Sequence, residues 1–333
     1  MKTKFNIPND TILLKISSFY ANINDDINRN DTIKMISNYV FSDVYNMEID
    51  IICIQGIKDE KLVKMLVSEI TEISVNLKIP INIVPRIELN SSNSQDNSIH
   101  LTWNNISEND NFDINNIIVS KYPIISTSKV TLNNSLDEKL VGCRKAIIAN
   151  VNVNGYLISI FNVVLSEDYF GVSNSDFRKY EINELYKYVN LNNEEMSKIN
   201  EAWGLRLINK NVNIVCSNLN IPEIKNSRIN SELTTIFKTM KALDTYRTSS
   251  QSYDKRGYTN TKGIKDCYIL LLLDGLNPSN TMTTNDILNY SYKIHGITIV
   301  KSYVVNSVVS NDYYPIETIF LLSNYEKKNQ EEY

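Results

Sequence analysis

Histidine is nearly missing from this chain. Two occur in 333 residues, His100 and His295, so any mechanism that needs an imidazole has at most two candidates. Cysteine is almost as rare. Cys53, Cys143, Cys216 and Cys267 stand far apart, with neither the CxxC nor the zinc-knuckle spacing that a soft metal requires. Three of them sit inside apolar strand-like runs, which reads as reduced, buried thiols in a cytosol-like compartment. There are 9 glycines and 7 prolines, too few for a low-complexity or collagen-like chain. No long apolar run exists: the longest, within Tyr268–Leu273, is far too short to cross a bilayer. The first ten residues, Met1 to Asp10, lack the apolar core of a signal peptide. These absences predict a soluble intracellular protein, cytoplasmic, nuclear or carried in a virion, neither secreted nor membrane-bound.

What is present reads as a globular chain. Hydrophobic residues make up 42% and charged residues 22%, enough apolar surface to form a core without disulfides or metal. The net charge of -4 and pI near 5.4 argue against binding to nucleic acid or anionic lipid by overall charge, while leaving room for a local basic groove. Asn (47) and Ile (45) are both far above their usual shares. Both have AT-rich codons, so the bias reads as the drift of an AT-rich genome, such as that of a large DNA virus or certain protists. It also weakens any argument from a single Asn.

Periodicity predicts an order of elements. Buried strands are expected at Ile12–Phe19 and Ile49–Ile54, and helices at Asp31–Val44 and Asp59–Leu77. Further strands are expected at Ile81–Val84, Ile99–Trp103, Ile114–Ser120 and Val130–Leu132. Lys145–Val153 and Tyr156–Val164 flank Asn154-Gly155, a strong hairpin signal. Two helices are expected at Ser175–Val189 and Glu194–Ile208, then a strand at Val212–Cys216 and a helix at Glu232–Met240. Strands at Tyr268–Leu273, Ile297–Val305 and Glu317–Ser323 close the list. Early βα crossovers followed by hairpins predict a layered α/β fold with mixed sheets. The chain reads as one domain over residues 1–333, with an exposed polar loop at 90–113 and a flexible tail at 325–333.

The predicted strand ends gather polar residues, and in layered α/β proteins such ends form the ligand mouth. They present Tyr20 and Asn22 after the first strand and Gln55-Gly56 after the second. Phe161-Asn162-Val163-Val164-Leu165, Ser217-Asn218-Leu219-Asn220, Asp266-Cys267-Tyr268 and Ser310-Asn311-Asp312-Tyr313 follow. Between them lie Ser120-Lys121-Tyr122-Pro123-Ile124, Leu243-Asp244-Thr245-Tyr246-Arg247 and Gly257-Tyr258-Thr259. In this order the segments resemble the endonuclease/exonuclease/phosphatase superfamily, the deoxyribonuclease-I-like proteins. Members of that superfamily read a strand ending in Asn, then Leu-Gln-Glu, His-Leu, Gly-Asp-Phe-Asn, Asp-Tyr and Ser-Asp-His. The resemblance spans residues 12–320 and implies a four-layer α/β sandwich, with two packed mixed β-sheets flanked by helices.

The resemblance also implies Mg²⁺-dependent phosphodiester or phosphomonoester hydrolysis, in which the Glu holds the metal, the Asp readies water and the histidines stabilise phosphoryl oxygens. Carried over position by position, those roles fall on the wrong residues. The metal Glu matches Gly56, the first-strand Asn matches Tyr20, the His of His-Leu matches Val164, the general-base Asp matches Asn218, and the final His matches Tyr313. Asn220, Asp266 and Asp312 alone keep the family's residue. His295 matches no catalytic motif, and Asp59 and Glu60 are poor substitutes for the lost Glu. The expectation is a pseudoenzyme with no bound metal or cofactor, retained as a binding or structural protein with a protein or nucleic acid as partner. The alternative is a hydrolase with a rearranged site built from Asn218, Asn220, Asp266 and Asp312. Arg247, Lys255, Arg256 and Lys262, interleaved with Tyr246, Tyr253 and Tyr258, are candidate nucleic-acid contacts of low, salt-sensitive affinity.

Overall fold

The computed structural model describes residues 11–23, 29–41, 49–57, 60–89, 99–102, 116–132, 144–168, 173–203, 211–224, 231–249, 258–273, 296–310 and 312–323. Two six-stranded sheets carry the architecture. In chain order the first sheet takes β1 (Thr11–Ile23), β2 (Ile51–Ile57), β3 (Asn82–Val84), β6 (Ile117–Ser120), β13 (Ile297–Val304) and β14 (Ile316–Ser323). The second takes β7 (Ile124–Thr131), β8 (Lys145–Val153), β9 (Tyr156–Val164), β10 (Val212–Ile224), β11 (Ala242–Asp244) and β12 (Ile264–Leu272). Their orders are β13-β14-β1-β2-β6-β3 and β11-β12-β10-β9-β8-β7, and a separate hairpin pairs β4 (Arg86–Leu89) with β5 (Ile99–Thr102). Each large sheet has one parallel pair at its centre, β1 with β2 and β9 with β10, flanked by antiparallel neighbours.

The strands read as continuous apolar runs because the inner ones are buried on both faces. Along β12, Cys267, Ile269, Leu271 and Leu273 face the other sheet, while Tyr268, Leu270 and Leu272 belong to a second cluster. In β9, Ile158, Ile160 and Val164 likewise alternate with Phe161 and Val163. The helices cover the outer faces. α1 (Arg29–Val40) and α2 (Glu60–Leu77) lie on the first sheet, burying Ile33, Ile36, Leu62, Leu66 and Ile70. α3 (Ser175–Trp203) and α4 (Ser231–Met240) lie on the second, burying Ile182, Leu185, Val189, Leu233 and Ile236. This is the expected four-layer sandwich.

The Asn154-Gly155 turn forms as expected, with both residues at positive φ (51° and 96°) and the Gly155 N–H donating to Asn152 Oδ1 at 2.7 Å. Several boundaries differ from expectation. β10 and β12 are longer than their apolar centres because pairing with each other extends both towards the mouth. The two helices expected over 175–208 form one, α3, whose stretch at Asn192 is held by tertiary contacts. Asn192 is buried and exchanges hydrogen bonds with Asn150 and Ser159 of the sheet, and this outweighs the poor helix propensity of Asn. β4, β11 and α5 (Thr245–Thr248) are too short to carry a periodic signal. Of the expected polar loop at 90–113, residues 90–98 and 103–113 lie outside the described residues, as does the tail at 325–333. Cys53, Cys216 and Cys267 are buried free thiols, and Cys143 lies outside the described residues.

Candidate functional site

The candidate residues converge where β1, β2, β9, β10 and β12 end. β2 supplies Gln55 and Gly56, and the two residues play different parts. Gln55 is buried between the sheets, where its Nε2 donates to Asn162 Oδ1 of β9 at 2.8 Å and to Ser18 Oγ at 3.1 Å. Asn162 in turn donates to the Ile54 and Ile117 carbonyls. This is a polar bridge across the sandwich, in which Gln55 donates and Asn162 both accepts and donates.

Gly56, one residue further, sits at φ 77°. A Cβ built there would lie 2.5 Å from Tyr20 Cε2, 2.9 Å from Tyr20 Cδ2 and 3.0 Å from the Asn22 nitrogen. The Tyr20 ring therefore occupies the start of the path that a side chain at 56 would follow. Tyr20 is itself buried, packs edge-on against Tyr313 with ring centroids 4.7 Å apart, and donates to Glu167 Oε1 at 3.4 Å. Burial and the Glu167 carboxylate raise its phenol pKa far above the ordinary value. Burial, with Asp266 nearby, does the same to Tyr313. Both phenols stay protonated, Tyr20 donates to Glu167, and neither acts as a base.

Asp266 is the carboxylate of this mouth, 8% exposed. Thr259 Oγ1 donates to its Oδ1 at 2.9 Å and Cys267 Sγ approaches the same oxygen at 3.6 Å. Burial pushes the Asp266 carboxyl up to about 6, against those hydrogen bonds, which hold it down. Cys267 is raised well above the usual thiol value by burial and by Asp266. Asp312 lies elsewhere in the role it plays. It is exposed, at φ 75°, and accepts from Thr261 Oγ1 at 2.8 Å, which ties its loop to the 260–263 turn.

On β10, Asn218 pairs in register with Val164 on one side and Cys267 on the other. Its Oδ1 accepts from the Asn220 N–H at 2.9 Å, and its buried Nδ2 has no hydrogen-bond partner among the described residues. Asn220, at φ 53°, donates from Nδ2 to the Leu165 carbonyl at 2.6 Å. Val164 is part of the apolar core, and Asn22 sits beside Gly56 at φ 47°. The structure thus brings Tyr20, Asn22, Gly56, Asp266 and Tyr313 together, with Asn218, Val164 and Asn220 on the adjoining strand ends. Sequence reasoning missed Glu167. Glu167, three residues past the predicted strand end at Val164, carried the same positional signal as the others.

Among the described residues no three His, Cys, Asp or Glu side chains cluster as a metal-holding group. Mg²⁺ needs anionic oxygens in octahedral array. At the position where the resemblance puts the metal Glu there is a glycine whose side-chain direction is filled by a ring, so the donor set does not fit that ion. The expected basic surface is also altered. Arg247 ion-pairs with Asp244 at 3.4 Å, and Tyr246 is buried beneath the Lys265 ammonium, 5.0 Å from its ring, so it is not free to stack on a base. Lys262 lies exposed on the 261–263 turn, while Lys255, Arg256 and Tyr253 lie outside the described residues.

Behind the mouth, the segment after β9 is clamped to the helices. Arg178 of α3 is 1% exposed and bidentate with Glu232 of α4 (2.7 and 3.1 Å), and it also donates to Asp168 Oδ1 at 2.6 Å and to the Ser166 carbonyl at 3.0 Å. Glu181 accepts from both the N–H and the hydroxyl of Ser166. This clamp sets the position of Glu167.

No family model matches the sequence, and no curated protein matches it. Solved structures do match in fold. An endonuclease/exonuclease/phosphatase family protein from Leptotrichia buccalis C-1013-b superposes with a TM-score of 0.56 at 13% identity, covering 92% of this chain and 98% of that one. A mannosyl-6-phosphatase from Bacteroides thetaiotaomicron VPI-5482 gives 0.55 at 11% identity, covering 92% and 99%. D. rerio TDP2 complexed with single-strand DNA product gives 0.51 at 12% identity, covering 92% and 98%. Two packed mixed sheets, their flanking helices and these superpositions give this chain the deoxyribonuclease-I-like fold of the endonuclease/exonuclease/phosphatase proteins.

Proposed function

We propose that this chain is a hydrolytically silent member of the endonuclease/exonuclease/phosphatase superfamily that acts by binding rather than by cleaving. The observation that carries the reading is the Tyr20–Gly56 contact. The position matching the metal Glu has lost its side chain, and a buried ring with a raised phenol fills the vacated room. Loss of one acid–base group alone lowers a rate by roughly 10²- to 10⁴-fold. Here the matches to the metal ligand, the base and both histidines are Gly56, Asn218, Val164 and Tyr313, none of which supplies those functions.

The test is direct. The full chain is incubated with Mg²⁺ or Mn²⁺ and single-stranded DNA, RNA, a phosphoinositide or a sugar phosphate, with release of product measured. The expected result is no turnover above a control lacking protein, and no Mn²⁺ binding by calorimetry. Turnover at the rate of an active relative would overturn the reading. One observation favours the rearranged hydrolase instead: the Asp266 carboxyl, at about 6, is suited to proton transfer near neutral pH. If that is its role, turnover appears and Asp266→Asn abolishes it. A nucleic-acid ligand draws support from the neighbour complexed with single-strand DNA product and from exposed Lys262. A filter-binding titration at two ionic strengths tests it, with affinity falling as salt rises.

A further inference from the structure

The outer layer of the first sheet carries a groove between α1 and α2 with a volume of about 420 Å³. Ile33 and Met65 are its apolar residues, and Asn30 and Lys34 line it from α1. The α2 side is a single stripe: Lys61, Lys64, Met65, Ser68, Glu69 and Glu72. Their spacing of i, i+3, i+4, i+7, i+8 and i+11 sets them on one helical face. Leu62, Val63, Leu66, Val67 and Ile70, on the other face, are buried in the core.

The stripe is ordered by charge. Its lysines lie towards the N-terminal end of α2 and its glutamates towards the C-terminal end, the reverse of what the helix dipole favours. The last turn of α2 has no basic residue to offset the glutamates. Stability of the helix by itself therefore does not account for the order. The order is also symmetric. Lys61 and Glu72 stand equally far from the point midway between Leu66 and Val67, as do Lys64 and Glu69, and Met65 and Ser68. A two-fold axis through that point, perpendicular to the helix, places each lysine opposite a glutamate of a second copy. It also places Met65 against Ser68, whose small side chain permits close approach. A two-fold interface must be self-complementary in this sense.

We infer that the α1–α2 groove is a homodimer interface in which two copies of this chain pair antiparallel along α2. Lys34 adds a further positive charge on the rim from α1. Lys64 already pairs with Glu60 at 2.7 Å within the helix, so the Lys61–Glu72 pairs carry more of the steering than Lys64–Glu69. Lys61 and Glu72 are exposed and Lys64 and Glu69 partly so, as an interface of separate molecules requires. A small anion is a worse occupant, because two carboxylates share the groove with the lysines. The interface is built from the outer faces of α1 and α2 and does not depend on whether the mouth hydrolyses anything.

Sedimentation equilibrium on the full chain tests it. The expected result is a dimer that weakens as salt rises. Lys34→Glu/Lys61→Glu makes the face predominantly acidic, leaving Lys64 paired with Glu60, and Glu69→Lys/Glu72→Lys makes its charged groove residues all basic. Each alone is expected to raise the dimer dissociation constant by at least about tenfold, since like charges then face each other. An equimolar mixture of the two is expected to restore a dimer containing one copy of each. Ser68→Arg, which blocks close approach without reversing the pattern, is expected to give a monomer, and circular dichroism confirms the fold of every variant. A wild-type monomer at all concentrations and salts would sink the inference. So would variants that dimerise as well as wild type, or a mixture that fails to restore the dimer.

Discussion

Arg178 and Asp266 are both buried charges on or against the second sheet, and they are accommodated in opposite ways. Arg178 meets two oxygens of Glu232, one of Asp168 and a backbone carbonyl. Asp266 meets a hydroxyl, a thiol and the backbone N–H groups of Asp266 and Cys267, with no lysine or arginine paired to it among the described residues, and its carboxyl is pushed up to about 6. The first arrangement keeps a charge in the interior by satisfying it. The second keeps a carboxyl buried by letting it take up a proton near neutral pH. Removing a satisfied charge exposes its partners, whereas neutralising the unsatisfied one costs little. The clamp is built for stability, and the mouth retains a feature that stability alone disfavours.

The largest effect comes from breaking the satisfied side. Arg178→Ala removes the buried guanidinium that Glu232, Asp168 and the Ser166 carbonyl share and should lower unfolding free energy by about 3–5 kcal/mol in denaturant titrations. Arg178→Met combined with Glu232→Leu should recover most of that loss, because an apolar pair replaces a buried ionic one at little net cost. If the double variant is as unstable as the single, the clamp does more than satisfy its own charges.

The next effect sharpens the unsatisfied side. In the native state Asp266 titrates near 6 rather than at the ordinary 3.8, so the native state binds more protons than the unfolded chain across that interval. Its stabilising share is complete below the unfolded value and is lost as pH rises through 6. Against Asp266→Asn, which cannot ionise, wild-type stability should fall by at most about 3 kcal/mol between pH ~3.5 and pH ~7. A flat difference across that range would show that the carboxyl titrates normally.

The smallest concerns packing in the mouth. Gly56→Ala should cost about 1–3 kcal/mol, because a Cβ meets the Tyr20 ring at 2.5 Å. In a Tyr20→Ala background the same change should retain only the left-handed-backbone cost of about 1 kcal/mol. The coupling in this double-mutant cycle measures how firmly the ring fills the position. No coupling would mean that the mouth relaxes readily, and the Tyr20–Gly56 contact would no longer argue against a metal there.

Much of the layout was legible beforehand for reasons visible in particular residues. Inner strands such as Ile51–Ile57 and Ile264–Leu272 are apolar on both faces because a sheet or helix covers each face. Asn154-Gly155 announces its turn through the positive φ both residues accept. That these strand ends lie side by side was legible too, because strand ends fall at predictable positions. Their partners were not. Nothing local marks Glu167 as the acceptor for Tyr20, 147 residues away, or Asn162 as the partner of Gln55, 107 away. The gap left between the two expected helices, at residues 190–193, is helical because Asn192 hydrogen-bonds to distant strands.

By itself the amino-acid sequence determined the alternation of layers, the strand order's raw material and the absence of histidines where the resemblance calls for them. These follow from side-chain type and spacing, which are properties of short stretches. Only the tertiary structure decided that a tyrosine ring stands where a glutamate side chain would begin, that Arg178 is a buried clamp rather than a surface charge, and that Asp266 is buried with no cation paired to it among the described residues. Those outcomes depend on which groups are brought within a few ångströms after chain closure. Burial, which turns such neighbours into large energies, exists only once both sheets have packed.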